Sequence, residues 1–341
     1  MKKVIGLDSL RFVLAFVVIL GHLNLTNLDI FNVKLAQHSK TVVLLNGVLD
    51  NMFPGITAVI VFFIISGFCI HYPYSTGKNL NVPEFYLKRI VRIGIPAVIA
   101  FVIYLVPFNL TMGVIWSLIC EVIYYFLYPI ILKYKEKYFN VMLISSFVLS
   151  YLISINYSIF SSDYNGNFHR NGFFITWIVG LPVWLLGVDL ASKFANTSIK
   201  RQPAYLKLVF LRLITWATAI LFSVLRFHAG LSYTYTLPVF ALLAYVWLKE
   251  EIWYYSDKKE NKLLEYGGLM SYSMYLIHAY LFFMLPRFFN EKGINKWLFS
   301  AFQIIVILLV SWLFYILIEK KAHKLAKSIK LKLNLTPAYN K

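Results

Sequence analysis

Charge is scarce in this chain, and acid is scarcer still. Only 14% of its 341 residues are charged, with 15 acidic side chains against 33 lysines and arginines, while 60% are hydrophobic. That shortage excludes a water-soluble domain of this size, which needs far more polar surface. Cysteine is nearly absent. Cys69 and Cys120 both lie in apolar stretches, which excludes a disulfide framework and any zinc spacing, so no metal site is expected. No internal repeat or low-complexity tract occurs. Long polar stretches are lacking too, the longest being near 26–52 and 249–265, which argues against a separate soluble domain. No small-x-small cleavage site follows His22, and Asp8 and Arg11 interrupt the first apolar run, so that run does not read as a cleavable signal.

What is present is a series of apolar runs. They fall near 5–25, 53–72, 93–108, 112–132, 141–160, 172–191, 208–226, 232–248, 266–286 and 297–318. This predicts an all-α integral membrane protein with about ten transmembrane helices. With the N-terminus placed inside, the inner segments carry 24 lysines and arginines and the outer ones 7. The positive-inside rule then puts both termini in the cytoplasm. The net charge of +18 lies along a membrane face, and no nucleic-acid partner is implied. The 18% of aromatic residues suits interfacial belts and a ring-lined cavity. The expected division is a transmembrane domain over 1–319 and a basic tail over 320–341. From Lys320 to Lys332 that tail reads either as a short amphipathic helix on the membrane surface, with Leu325 and Ile329 between lysines, or as a solvated end.

A few polar residues break the apolar runs. Arg11 and His22 stand eleven residues apart on the first helix, about three turns, so they share one stripe roughly 16 Å long. A charged group inside a spanning helix costs roughly 2.5–3.5 kcal/mol and normally faces a cavity or the bundle interior. The plainer reading is a pair of interfacial anchors, and Asp8 beside the pair favours a site. Glu121 lies mid-span in Trp116-Ser-Leu-Ile-Cys-Glu121, either as a working carboxylate or as a protonated one bonded to Tyr124 or Tyr125. Ser66 and Gly67 interrupt the second run, where small residues also permit close helix packing. Lys88, Arg89 and Arg92 open the third, either to bind phosphate or to anchor the inner face. His278 sits deep in the ninth run, as a packed core histidine or a site residue. Arg212 and Arg226 are expected to snorkel, and His71 to be interfacial. Asp189 and Glu319 lie near inner helix ends, close to water.

Taken in order, these elements resemble the acyltransferase-3 family of membrane acyltransferases. The resemblance rests on Gly6-Leu-Asp8-Ser-Leu-Arg11 with ten residues to His22, Phe62-Phe63-x-x-Ser66-Gly67-Phe68 and Lys88-Arg89-x-x-Arg92-x-x-x-Pro96. It continues in Trp116-Ser117-Leu118-x-x-Glu121 and Ser271-Tyr272-x-x-Tyr275-Leu276-x-His278. Ile318-Glu319-Lys320-Lys321 departs from the family's closing element, which usually has proline where Lys321 stands. The resemblance implies ten core helices and transfer of an acyl group, usually acetyl from acetyl-CoA, to sugar hydroxyls of surface glycans or their lipid-linked precursors. Acetyl-CoA is then a co-substrate, with no permanently bound cofactor, and the setting is a bacterial cytoplasmic membrane.

On that basis His22 is the expected general base, or the site of an acyl-histidine intermediate. Glu121 orients it or stabilises its imidazolium. Arg11 binds the donor deep in the span, and Arg89, Arg92 and Lys88 hold its phosphates. Trp116, Ser117, Ser66, His278 and Asp8 are candidates for lining the acceptor side or the cavity. The main rival is a transporter or flippase for a lipid-linked glycan, which also needs buried Arg, His and Glu. A polyprenyl-phosphate glycosyltransferase is disfavoured, because Asp29 and Asp50 are too far apart for an acidic pair.

Overall fold

The computed structural model describes residues 4–22, 40–104, 108–160, 166–167, 171–172, 174–197, 203–256, 258–289 and 295–330. Among these every regular element is helical. The order is α1 (Leu7–His22), α2 (Lys40–Asp50), α3 (Gly55–Ser75), α4 (Val82–Arg89), a π-turn (Ile90–Gly94), α5 (Ile95–Tyr104) and α6 (Phe108–Phe160). Then come α7 (Thr176–Asn196), α8 (Tyr205–His228), α9 (Tyr233–Tyr255), α10 (Lys262–Leu269), α11 (Ser271–Phe288), α12 (Lys296–Phe314), a second π-turn (Tyr315–Glu319) and α13 (Lys320–Ser328). Most of the predicted outer loop near 26–52 lies outside the described residues, but its end forms α2. The predicted inner loop at 249–265 shortens, because α9 continues to Tyr255 and α10 starts at Lys262. The charged residues there are accommodated in helices: Lys207 pairs with Glu250 at 2.9 Å and Arg212 with Glu251 at 2.5 Å.

Among the described residues five segments are each long and apolar enough to cross a membrane, and the bent pair α10–α11, with a 63° angle at the break, makes a sixth if it is one span. This makes a multi-pass membrane protein. The remaining expected crossings fall on shorter or more polar helices, such as α1 with 16 residues. One helix is too long for a single crossing. The 53 residues of α6 would extend about 80 Å if straight, against a hydrocarbon core of about 30 Å. Its contacts show that it turns back. Tyr124 donates to the Trp177 carbonyl at 2.8 Å, and Ser150 donates to the Val179 carbonyl at 2.9 Å. Those two acceptors are about 3 Å apart along α7, whereas Tyr124 and Ser150 on a straight helix would be about 39 Å apart. The reversal falls between them, in the stretch that carries Lys133, Lys135 and Lys137.

The core forms where α3 crosses α7. A Cβ on Gly67 would lie 2.1 Å from the Trp184 carbonyl oxygen, and one on Gly187 would lie 2.0 Å from that of Ile64. Only glycine lets the two backbones approach this closely, as in other membrane helix pairs. Trp184, Tyr124, Tyr128 and Phe68 are fully buried around the crossing. His71, expected at the interface, is instead buried there, its Nδ1 2.9 Å from the Tyr128 hydroxyl. Packing of the surrounding rings keeps it from water. Side-chain caps start two short helices. The Asn81 amide oxygen accepts the Glu84 N–H at 3.3 Å, and that of Asn261 accepts the Leu264 N–H at 3.2 Å.

Candidate active site

A chamber of about 130 Å³ lies beside the α3–α7 crossing. Several stretches of distant sequence meet there. Arg11 enters from α1, Ser66 and Cys69 from α3, and Ser117, Glu121 and Tyr125 from the first limb of α6. Arg89 ends α4. Ser271, Tyr272 and Tyr275 come from the start of α11, just past the 63° break. Arg92 and Glu319 sit in the two π-turns. A π-turn adds a residue to the helical repeat, rotates the helix beyond it and leaves backbone groups to be satisfied elsewhere; such turns recur at functional sites. Here the Tyr272 hydroxyl donates to the Ile93 carbonyl at 2.9 Å.

The chamber's two carboxylates are held differently. Glu121 Oε1 accepts hydrogen bonds from Ser66 Oγ at 2.6 Å and from the Tyr125 hydroxyl. Trp184 Nε1 in turn donates to Ser66 Oγ at 3.3 Å. Glu319 Oε2 accepts from the Ser273 backbone N–H at 3.1 Å and from its hydroxyl at 2.5 Å. Hydroxyl donors keep a membrane carboxylate supplied without a neutralising ion pair. The cations are less tightly engaged. Arg11 lies 3.7 Å from Asp8, and Arg89 stacks 5.5 Å from the Phe85 and Tyr125 ring centroids. Three guanidinium groups thus face one small space, an arrangement that favours an anionic ligand.

At one end of the chamber, Ser117 Oγ and the Tyr275 hydroxyl meet at 2.5 Å. One turn beyond Tyr275 stands His278, with ring centroids 5.8 Å apart, and beside it His22 at 5.2 Å. His278 is buried, and its Nδ1 lies 3.0 Å from the Met274 carbonyl. A carbonyl only accepts, so Nδ1 carries the proton and Nε2 keeps its lone pair. His22 is exposed at the end of α1, with Phe282 as its other ring neighbour.

The structure therefore gathers Arg11, Glu121, Arg89, Arg92, Ser66 and Ser117 into the chamber, and places His22 and His278 together next to it. Trp116 reaches the wall indirectly, edge-on to Phe63 at 6.0 Å. Asp8 is paired with Arg11. Lys88 is bonded to Glu84 at 2.5 Å in a neighbouring cavity. Cys69, Tyr272 and Glu319 were not among the expected site residues. For Cys69 a signal existed, since Phe62, Ser66 and Cys69 repeat at helical spacing on one face. Glu319 was marked only as an acidic residue near an inner helix end and in an atypical closing motif, and it reaches the chamber from a π-turn. Arg212 also has partners that the sequence did not indicate. It is held within the protein, donating from Nε and Nη2 to Glu251 at 3.0 and 2.5 Å and from Nη2 to Tyr255 at 3.2 Å. Among the described residues no three His, Cys, Asp or Glu side chains converge as a metal site would require.

These features define a multi-pass helical membrane protein with a polar chamber built from residues of distant sequence motifs. A family model described as "Acyltransferase domain" matches residues 4–316, and the chain belongs to that family, acyltransferase-3. No curated protein and no solved structure matches it.

Proposed function

We propose that this protein is an O-acetyltransferase with about ten membrane crossings and both termini in the cytoplasm of a bacterium. It takes acetyl from cytoplasmic acetyl-CoA and delivers it to a hydroxyl of a surface polysaccharide or its lipid-linked precursor. The observation that carries this reading is the convergence of three guanidinium groups, from α1, α4 and the first π-turn, on a polar chamber next to a histidine pair from α1 and α11. The lysine-rich end faces the donor, and the His22 end faces the acceptor. The chamber size favours a short acyl group, since about 130 Å³ is close to the roughly 150 Å³ of a cavity that holds benzene.

In this reading Arg89 and Arg92 receive the donor, and Arg11 draws its acyl end inward. Glu121, with Ser66 and Tyr125 on one oxygen, presents the other to the chamber. His278 packs against the neighbouring His22 ring, centroids 5.2 Å apart, and limits its orientation. His22 then takes the proton of the acceptor hydroxyl through its free nitrogen. The alkoxide attacks the thioester carbonyl, the carbon–sulfur bond breaks, and the thiolate leaves to take up a proton. An acyl-histidine route replaces the first attack with one by His22 itself.

The test uses purified protein in nanodiscs with radiolabelled acetyl-CoA and a membrane glycan extract. Label on glycan with the wild type but not with His22→Ala supports both the enzyme and the base. Equal transfer by both removes His22 from the chemistry. Absence of donor binding and of transfer would favour the transporter.

A further inference from the structure

Toward the basic end the chamber continues past Arg89 and Arg92, which also line a second cavity of about 280 Å³. Its other cations are Lys78, Lys88 and Lys327, with His323 beside them. The one carboxylate in its wall, Glu84, is already bonded to Lys88 at 2.5 Å. Tyr74 and Phe85 add aromatic faces, in edge contact with each other at 6.1 Å. One wall is α13. Its Ala322 and Ala326 are buried, and it packs on both π-turns, with Leu325 turned outward. The small alanines let α13 sit close, so that His323 and Lys327, one turn apart, face the cavity. Both lie beyond residues 4–316, the extent of the family match.

We propose that this vestibule binds the multiply phosphorylated nucleotide end of the donor, and that α13 is a donor-binding element rather than a membrane-surface tail. The proposal rests on the donor reading above. Five cations against one engaged carboxylate suit a ligand with several phosphates, and the aromatic faces suit a purine. Arg89 and Arg92 belong to both cavities, so a ligand seated here can pass its flexible arm between them into the chamber.

Calorimetry in nanodiscs of zwitterionic lipid tests this with three ligands: acetyl-CoA, acetyl-pantetheine and adenosine 3′,5′-bisphosphate. Lys78→Glu combined with Lys327→Glu is expected to weaken acetyl-CoA and the bisphosphate by about 100-fold, roughly tenfold for each of the two lysines replaced, and to leave acetyl-pantetheine unchanged. Lys321→Glu with Lys324→Glu makes the same charge change on exposed positions of α13 away from the cavity, and is expected to bind all three ligands as the wild type does. Undiminished bisphosphate binding by the first variant would overturn the vestibule while leaving the donor reading intact. So would a parallel loss of acetyl-pantetheine, which would place the effect on the fold. Displacement of the bisphosphate by added anionic lipid, with acetyl-CoA still bound, would assign the cavity to a lipid headgroup instead. A wild type that binds none of the three would remove the donor reading itself, and the vestibule with it.

Discussion

Arg212 on α8 and Arg11 on α1 are both guanidinium groups set into apolar helices, and their surroundings differ. Arg212 donates two-pronged to Glu251, bonds Tyr255 as well, and shares its carboxylate with Trp247, whose Nε1 donates to Glu251 at 2.9 Å. It lies at a large, mainly apolar cavity of about 640 Å³ on the other side of α1. Arg11 meets Asp8 at 3.7 Å and otherwise faces a chamber that holds two more arginines. Arg212 and Glu251 satisfy each other as a structural strut, whereas around the chamber three arginines outnumber two carboxylates, which suits it to an anionic ligand. The comparison separates an ion pair that ties two helices together from the chamber proposed to receive the donor.

The sharpest way to break it is at the histidines. His22→Ala should lower acetyl transfer by about 10²–10⁴-fold, as expected for a lost general base, with donor affinity unchanged in a binding assay. A parallel loss of donor affinity would place His22 on the wrong side of the division. Next comes the strut. Glu251→Ala should lower stability by about 2–3 kcal/mol, less than the roughly 3–5 kcal/mol for a fully buried pair because Arg212 is 34% exposed. Thermal unfolding in detergent reads this, and the surviving folded protein should keep its donor affinity. Arg92→Ala should do the reverse, weakening acetyl-CoA binding by about tenfold or more with little change in unfolding temperature. The smallest effect is expected at the Ser117 end of the chamber. Tyr275→Phe removes one hydroxyl from Ser117 and should slow transfer about fivefold, the equivalent of about 1 kcal/mol.

Much of the site was legible beforehand, for a physical reason. A polar residue in a long apolar run has few tolerable positions, so Arg11, Glu121 and His278 stood out against their background. Arg89 and Arg92 were visible as a pair at the start of a run. The convergence of Glu319 with them was not. Glu319 reaches the chamber through a π-turn, and a regular α-helical projection misplaces it. Glu251 looked like part of a polar loop because its partner, Arg212, lies 39 residues away.

By itself the sequence determined that this is a helical membrane protein, because charge is too scarce for any other solvent, and it supplied the ordered motifs of the family. It also determined which side chains cannot sit comfortably in lipid. Only the tertiary structure decided how those side chains are grouped. Contacts between distant segments put Arg11 with Arg89 and Arg92, Arg212 with Glu251, and α13 against the first π-turn. Such partners are chosen by packing in three dimensions, where glycines at one crossing and a reversal within α6 set which helices become neighbours. Neither the pattern of one helix nor its composition carries that information.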